Sequence, residues 1–150
     1  MNPRMKVAGL GISGALLVAI ASHEGFRGNA YDDGVGVQTI GFGTTEGVRS
    51  GDKITVERAL VRLLADASKF EQAVKRCAPV PMYQHEFDAF VSLTYNIGEG
   101  AFCKSTLAKK LNVFDYAGAC AEILKWDRAG GRVLPGLTKR RQAEYEKCKG

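Results

Sequence analysis

Histidine is scarce in this chain, limited to His23 and His85, and no two cysteines stand in a C-x-x-C pair, so a tetrahedral zinc site has no ligand set to draw on. Neither a metal nor an organic cofactor is expected. Basic residues are scattered apart from the run Lys139, Arg140, Arg141, and no aromatics interleave with them. The stacking platforms of single-strand binders are therefore missing, and nucleic acid is not an expected partner. No uncharged stretch reaches the roughly 20 apolar residues of a comfortable membrane span. Repeats and low-complexity tracts are absent as well.

What is present fits one globular domain: 150 residues, 45% hydrophobic and 25% charged, with a formal charge of +5. That charge suits anionic partners such as a cell wall or a membrane surface. A chain of this length buries enough surface to fold without metals or bridges. The four cysteines, Cys77, Cys103, Cys120 and Cys148, allow two disulfides in an oxidising compartment, with three possible connectivities, or four buried thiols in a reducing one.

The first 22 residues stand apart. Arg4 and Lys6 precede the uncharged stretch Val7 to Ser22, which mixes Leu10, Ile12, Leu16, Leu17, Val18 and Ile20 with Gly9, Gly11 and Gly14. The pattern is that of an export signal. As a helix it would span about 24 Å, short of the roughly 30 Å hydrocarbon core, so it would anchor poorly. Basic residues before it favour an N-in, C-out orientation. Three readings compete: a cleaved signal peptide ending near Ala19-Ile20-Ala21, a weak signal-anchor that later leaves the bilayer and packs on the domain, and an ordinary core helix. Cleavage would leave Glu24 on a frayed terminus, and the signal-anchor is preferred.

Beyond Ser22 the division is a β-lobe over about 25–51 and a helical lobe over about 54–150. In the first, Val35-Gly36-Val37 and Thr39-Ile40-Gly41-Phe42-Gly43 have the composition of short strands broken by turns. In the second, Thr55 is an N-cap for a helix with Ala59, Leu60, Leu63, Leu64, Ala67, Phe70 and Val74 at helical spacing, ending before Pro79. Tyr83, Phe87, Phe90, Val91 and Thr94 mark another that stops at Gly98-Glu99-Gly100 and should centre the core. Further helices are expected at Ser105 to Leu111, Asp115 to Trp126 and Leu137 to Cys148. The fold class is α+β, a small β-lobe and a larger, mainly helical lobe, with a cleft between them as the natural ligand site.

Hydrolysis of a glycosidic bond needs a protonated carboxyl to release the leaving oxygen and a second carboxylate to activate water or attack the sugar. Glu24 closes an apolar segment, the partly desolvated setting that suits a general acid. Asp33 lies nine positions on in the turn-rich Asp32-Asp33-Gly34, where solvent and backbone donors favour a carboxylate. Thr39, six further, offers a stiff hydroxyl that could hold a water beside Asp33. On spacing alone, acidic residues near glycines are commonplace turn formers.

The wording of the segment carries more. Glu24-Gly25-Phe26-Arg27, Tyr31, Asp33 and Thr39-Ile40-Gly41-Phe42-Gly43-Thr44 resemble the signature of the phage lysozyme family, the muramidases of glycoside hydrolase family 24. Ala89-Phe90, Tyr95-Asn96-Ile97-Gly98, Ser105-Thr106-Leu107, Trp126 and Gly136-Leu137 with Arg140-Arg141 look like that family's helical lobe. The resemblance implies a lysozyme-like fold and a monomeric endolysin that cuts the β-1,4 bond between N-acetylmuramic acid and N-acetylglucosamine in peptidoglycan. Glu24 would be the acid, with Asp33 and Thr39 directing water to the opposite face of the sugar. It further implies that Arg140 positions Glu24 and that Tyr95 and Asn96 line the cleft floor, Asn96 donating to an N-acetyl group; Tyr95 reads rather as core. Phe26 and Tyr31 should pack the β-lobe on the leader. Thr44 stands where many members carry His, so no role transfers to it. The leader and the cysteines resemble the signal-anchor-release (SAR) endolysins, which implies an inner-membrane stage followed by the periplasm; the leader lacks the cysteine that some of them use as a thiol switch. Within that resemblance the favoured bridges are Cys77 with Cys103 and Cys120 with Cys148. The rival activities are a lytic transglycosylase and a non-catalytic wall-binding or membrane-anchored module.

Overall fold

The computed structural model describes residues 2–150, which divide into two compact units: Gly14–Ser68, and the residues up to Ser13 together with Lys69–Gly150. The division falls inside the long helix Val56–Cys77.

The first unit opens with α1 (Gly14–Glu24), which buries Leu16 and Ile20, one turn apart, and leaves Val18 exposed. An antiparallel hairpin follows, β1 (Arg27–Asp32) and β2 (Gln38–Gly41), with Tyr31 opposite Thr39 and Asp32 opposite Gln38. This differs from the expectation in three ways. Val35-Gly36-Val37 is the loop of the hairpin, not a strand, because its amides are taken by side chains and not by a neighbouring strand. The unforeseen strand is β1, whose Gly28, Asn29 and Asp32 are weak strand formers held by their pairing; Gly28 and Ala30 also bond to the 52–54 segment. The strand expected over Thr39–Gly43 ends at Gly41, where Ile40 and Thr44 exchange both backbone hydrogen bonds across a tight turn. Gly41 is required there: its φ is +67°, and a Cβ would lie 3.0 Å from that of Ala59.

α2 (Val56–Cys77) begins where the Thr55 hydroxyl accepts from the Arg58 amide at 3.3 Å. Ala59, Leu63, Ala67, Ala73 and Val74 are buried, whereas Leu60 and Leu64 remain more than a third exposed. In the second unit α3 (Gln84–Ile97) is the core helix, buried continuously from Glu86 to Thr94. The expected stop at Gly98 is brief: Glu99–Lys104 forms a further helix, α4, whose turn restarts at the glycine. α5 (Thr106–Asn112) is capped by Ser105, and α6 (Tyr116–Ile123) by Asp115. α6 ends three residues before Trp126, and a two-residue hairpin, β3 (Arg128–Ala129) with β4 (Arg132–Val133), turns at Gly130-Gly131. α7 (Pro135–Lys149) starts with proline in its first turn and packs on α3 and α6.

Disulfides join Cys77 to Cys103, tying the end of α2 to α4, and Cys120 to Cys148, tying α6 to the last turn of α7. Chain entropy assigns each loop closure about 3 kcal/mol.

Residues 7–22 do not form one helix. They comprise a 3-10 turn at Val7–Gly9, an extended link and most of α1; among the described residues no helix is long and apolar enough to cross a membrane. Residues 2–13 are fastened to α3 and to the segment just before it. Met5 pairs with Met82 through two backbone hydrogen bonds, and Val7 and Leu10 are buried. Arg4 donates to both carboxylate oxygens of buried Glu86 at 2.9 Å and lies over the rings of Tyr83 and Tyr116, 4.5 and 3.7 Å from their centroids. The Ser13 hydroxyl donates to buried Asp88 at 2.5 Å, and Gln84 donates to the Gly11 carbonyl.

Arg4→Ala strips buried Glu86 of its cation and is expected to cost about 2 kcal/mol in urea unfolding, less than a fully buried pair because the Arg4 side chain is 32% exposed. The variant Glu86→Gln should lose little more when Arg4 is already absent; additive losses would show that the two side chains act independently.

Candidate active site

α1 ends on Glu24, and Gly25, at φ +72°, donates back to the Ala21 carbonyl at 2.9 Å, turning the chain from helix into β1. Glu24 is half-buried on that turn. Asp33 follows the last residue of β1. Its amide donates to the Val37 carbonyl at 3.1 Å, and its Oδ1 accepts from the amides of Val35 and Val37 at 3.0 and 3.2 Å. Asp32 accepts likewise from Gly34 and Gly36 through its own Oδ1. The Asp33 carboxylate is thus anchored by one oxygen in an exposed loop, with Oδ2 available to a water. Thr39 is buried on β2, and its hydroxyl donates at 3.3 Å to the same Val37 carbonyl that receives the Asp33 amide. Its oxygen keeps lone pairs for a water. Asp33 and Thr39 are therefore gathered around one carbonyl, and Glu24 belongs to the same unit.

Around them, Phe26 meets Phe42 with ring centroids 5.5 Å apart, and Arg27 covers Tyr31 at 4.6 Å, so the ring partner found for Phe26 is in its own motif. Thr44 is buried and its hydroxyl donates to Asp66 at 2.6 Å. A depression of about 570 Å³ on this unit, lined by Asp52, Lys53, Arg58 and Arg62 among others, includes none of the three site residues.

Tyr95, Asn96 and Arg140 belong to the other unit. Tyr95 is half-buried, edge-on to Phe70 at 5.2 Å, which fits the core reading. Arg140 is buried, with Glu144 3.8 Å away. Asn96 accepts through Oδ1 from Arg141, leaving its amide NH2 to donate. The sequence reading missed the residues that organise this region. Arg141, 1% exposed, donates to Asn96, to Glu144 and, at 2.8 Å, to the Trp126 carbonyl; Glu144 also accepts from Ser92 at 2.5 Å. The available signal was helical spacing, since Glu144 lies three and four residues after the two arginines. Among the described residues no group of three or more His, Cys, Asp or Glu is arranged to hold a metal.

Burial pushes the Glu144 carboxyl above the ordinary carboxylate range, against the opposing pull of Arg141, Ser92 and Arg140. It takes its proton at higher pH in the folded chain than in the unfolded one. Its contribution to stability is therefore full below the unfolded value and is lost as pH rises through the folded one. Glu144→Gln is expected to erase that segment of the stability profile while leaving buried Arg140 and Arg141 without their carboxylate. Arg141→Ala, which deprives Asn96, Glu144 and a buried carbonyl at once, should cost about 3 kcal/mol in the same urea titrations.

The chain matches the Phage lysozyme family over residues 21–144. It is 47% identical over 132 residues to the endolysin of Acyrthosiphon pisum secondary endosymbiont phage 1, covering 85% of this chain and 90% of that one. It is 35% identical over 152 residues to the SAR-endolysin of Pseudomonas phage phiKMV, covering 99% and 92%. The muramidase domain of SpmX from Asticaccaulis excentricus superposes with a TM-score of 0.88 at 32% identity, covering 93% and 98%. With its α+β lysozyme-like architecture, the chain belongs to the phage lysozyme family and is a glycoside hydrolase of peptidoglycan.

Proposed function

We propose that Glu24 is the general acid and that Asp33, assisted by Thr39, directs the attacking water, with inversion at the anomeric carbon. The bond cut is the β-1,4 link from N-acetylmuramic acid C1 to the O4 of N-acetylglucosamine. Glu24 gives its proton to that O4 as the bond to C1 opens; Asp33 takes a proton from water as the water oxygen bonds C1 from the other face. The observation that carries this reading is the shared Val37 carbonyl, which holds the Asp33 backbone and the Thr39 hydroxyl to one point while the Val35 and Val37 amides hold Asp33 Oδ1. Asn96, through its NH2, is assigned to the N-acetyl group of the substrate, and Arg140 to positioning the acid.

Residues 7–22 are read as a transient anchor. They enter the host inner membrane with Arg4 and Lys6 on the cytoplasmic side, carry the rest of the chain outward, and then leave the bilayer, releasing a monomeric enzyme into the periplasm for host lysis. The marginal length, the basic flank and the likeness to the phiKMV SAR-endolysin support this. So does the way the flank and the stretch are held in the folded chain, Arg4 by Glu86 and Ser13 by Asp88.

Purified protein should clear a peptidoglycan suspension. Glu24→Gln, with folding checked by circular dichroism, is expected to lose about 10³-fold in rate, and Asp33→Asn a comparable factor, with Thr39→Ala losing less. A folded Glu24→Gln protein as active as the parent would remove Glu24 from the acid role.

A further inference from the structure

Three residues, Val113 to Asp115, join α5 to α6. The turn closes with Phe114 donating to the Leu111 carbonyl and Asp115 to the Lys110 carbonyl, both at 2.9 Å, the pattern of a helix terminus whose left-handed position usually belongs to glycine. Phenylalanine occupies it here at φ +63°, the one non-glycine with positive φ among the described residues. A bulky side chain is strained in that conformation. Burial does not offset the strain: Phe114 is 64% exposed and Val113 beside it 71%.

The tip is held firmly. Asn112 donates to the Cys77 carbonyl at 2.8 Å, Cys77 is bridged to Cys103, and the Asp115 carboxylate caps α6 through the Gly118 amide. Two adjacent apolar side chains are thus presented outward on a rigid turn. Lys109 and Lys110 form the last turn of α5 just before them, and Lys110 and Lys125 share the buried Glu122 carboxylate. Three lysines against Glu122 and Asp115 leave the surround positive. A sugar would find no hydrogen-bonding group on Val113, whereas apolar side chains flanked by lysines match a phospholipid interface.

We propose that Val113 and Phe114 form a membrane-contact tip of the folded enzyme, inserting into the interface of an anionic phospholipid bilayer while the lysines meet its phosphates. The contact belongs to the folded chain and does not require residues 7–22 to be inserted.

The test is co-sedimentation of the oxidised full-length protein with vesicles of phosphatidylethanolamine and phosphatidylglycerol, and with neutral phosphatidylcholine vesicles. The parent is expected to bind the anionic vesicles preferentially. Phe114→Gly should bind them about tenfold more weakly, and Val113→Ser and Lys109→Gln should also bind less. Because glycine adopts this φ without strain, Phe114→Gly should melt at the same temperature as the parent or higher, and should degrade vesicle-free peptidoglycan at the parent rate. Unchanged vesicle binding in Phe114→Gly, or none in the parent, would overturn the proposal. A lowered melting temperature would assign Phe114 to the fold instead, and slower turnover with vesicle binding intact would assign it to the glycan; either result also overturns it.

Discussion

Five residues reverse the chain between β1 and β2, and no strand neighbour exists for their amides. Each amide nonetheless has an acceptor: the Val37 carbonyl takes Asp33, Asp32 takes Gly34 and Gly36, and Asp33 takes Val35 and Val37. A loop of this kind would otherwise depend on solvent to satisfy its backbone. The same bonds orient the Asp33 carboxylate, and the carbonyl they shape also receives the Thr39 hydroxyl. Local folding and placement of the proposed water-directing pair are thus one problem with one solution. Replacing either aspartate disturbs both, which is why the isosteric Asp33→Asn is more informative than a truncation.

The N-terminal residues answer to two environments. Glycines at 9, 11 and 14 weaken a membrane helix, yet the extended link and the break before α1 fall among them. Arg4, the charge that would hold the N-terminus on the cytoplasmic side, is in the folded chain the cation of buried Glu86, sandwiched by two tyrosines. A segment built for permanent insertion would be longer. One built only for a core would have little use for Lys6, which is exposed in the folded chain.

Much of the helical architecture was legible because helical periodicity survives in a single sequence. α2, α3 and α5 lie close to where Thr55, the Phe87-Phe90-Val91 stripe and Ser105 point, and α+β is the right class. The hairpin was harder: Val35 and Val37 alternate like a strand but serve a loop, while β1 is poor in strand formers and exists through its pairing. Short elements such as α4 and β3–β4 carry too few residues for a period. The proposal of Glu24, Asp33 and Thr39 rests on their motif, whereas the bridges Cys77–Cys103 and Cys120–Cys148 appear as that resemblance favoured. The Arg141–Glu144–Ser92 cluster was not nameable, since charged residues on a terminal helix read as a solvated face until packing encloses them.

Water delivered from the side opposite Glu24 would leave a stereochemical record in the first products released from peptidoglycan, which proton NMR reads before mutarotation. A reducing N-acetylmuramic acid that appears first as the α anomer is expected. The β anomer, or a 1,6-anhydro end in place of a reducing one, would contradict it.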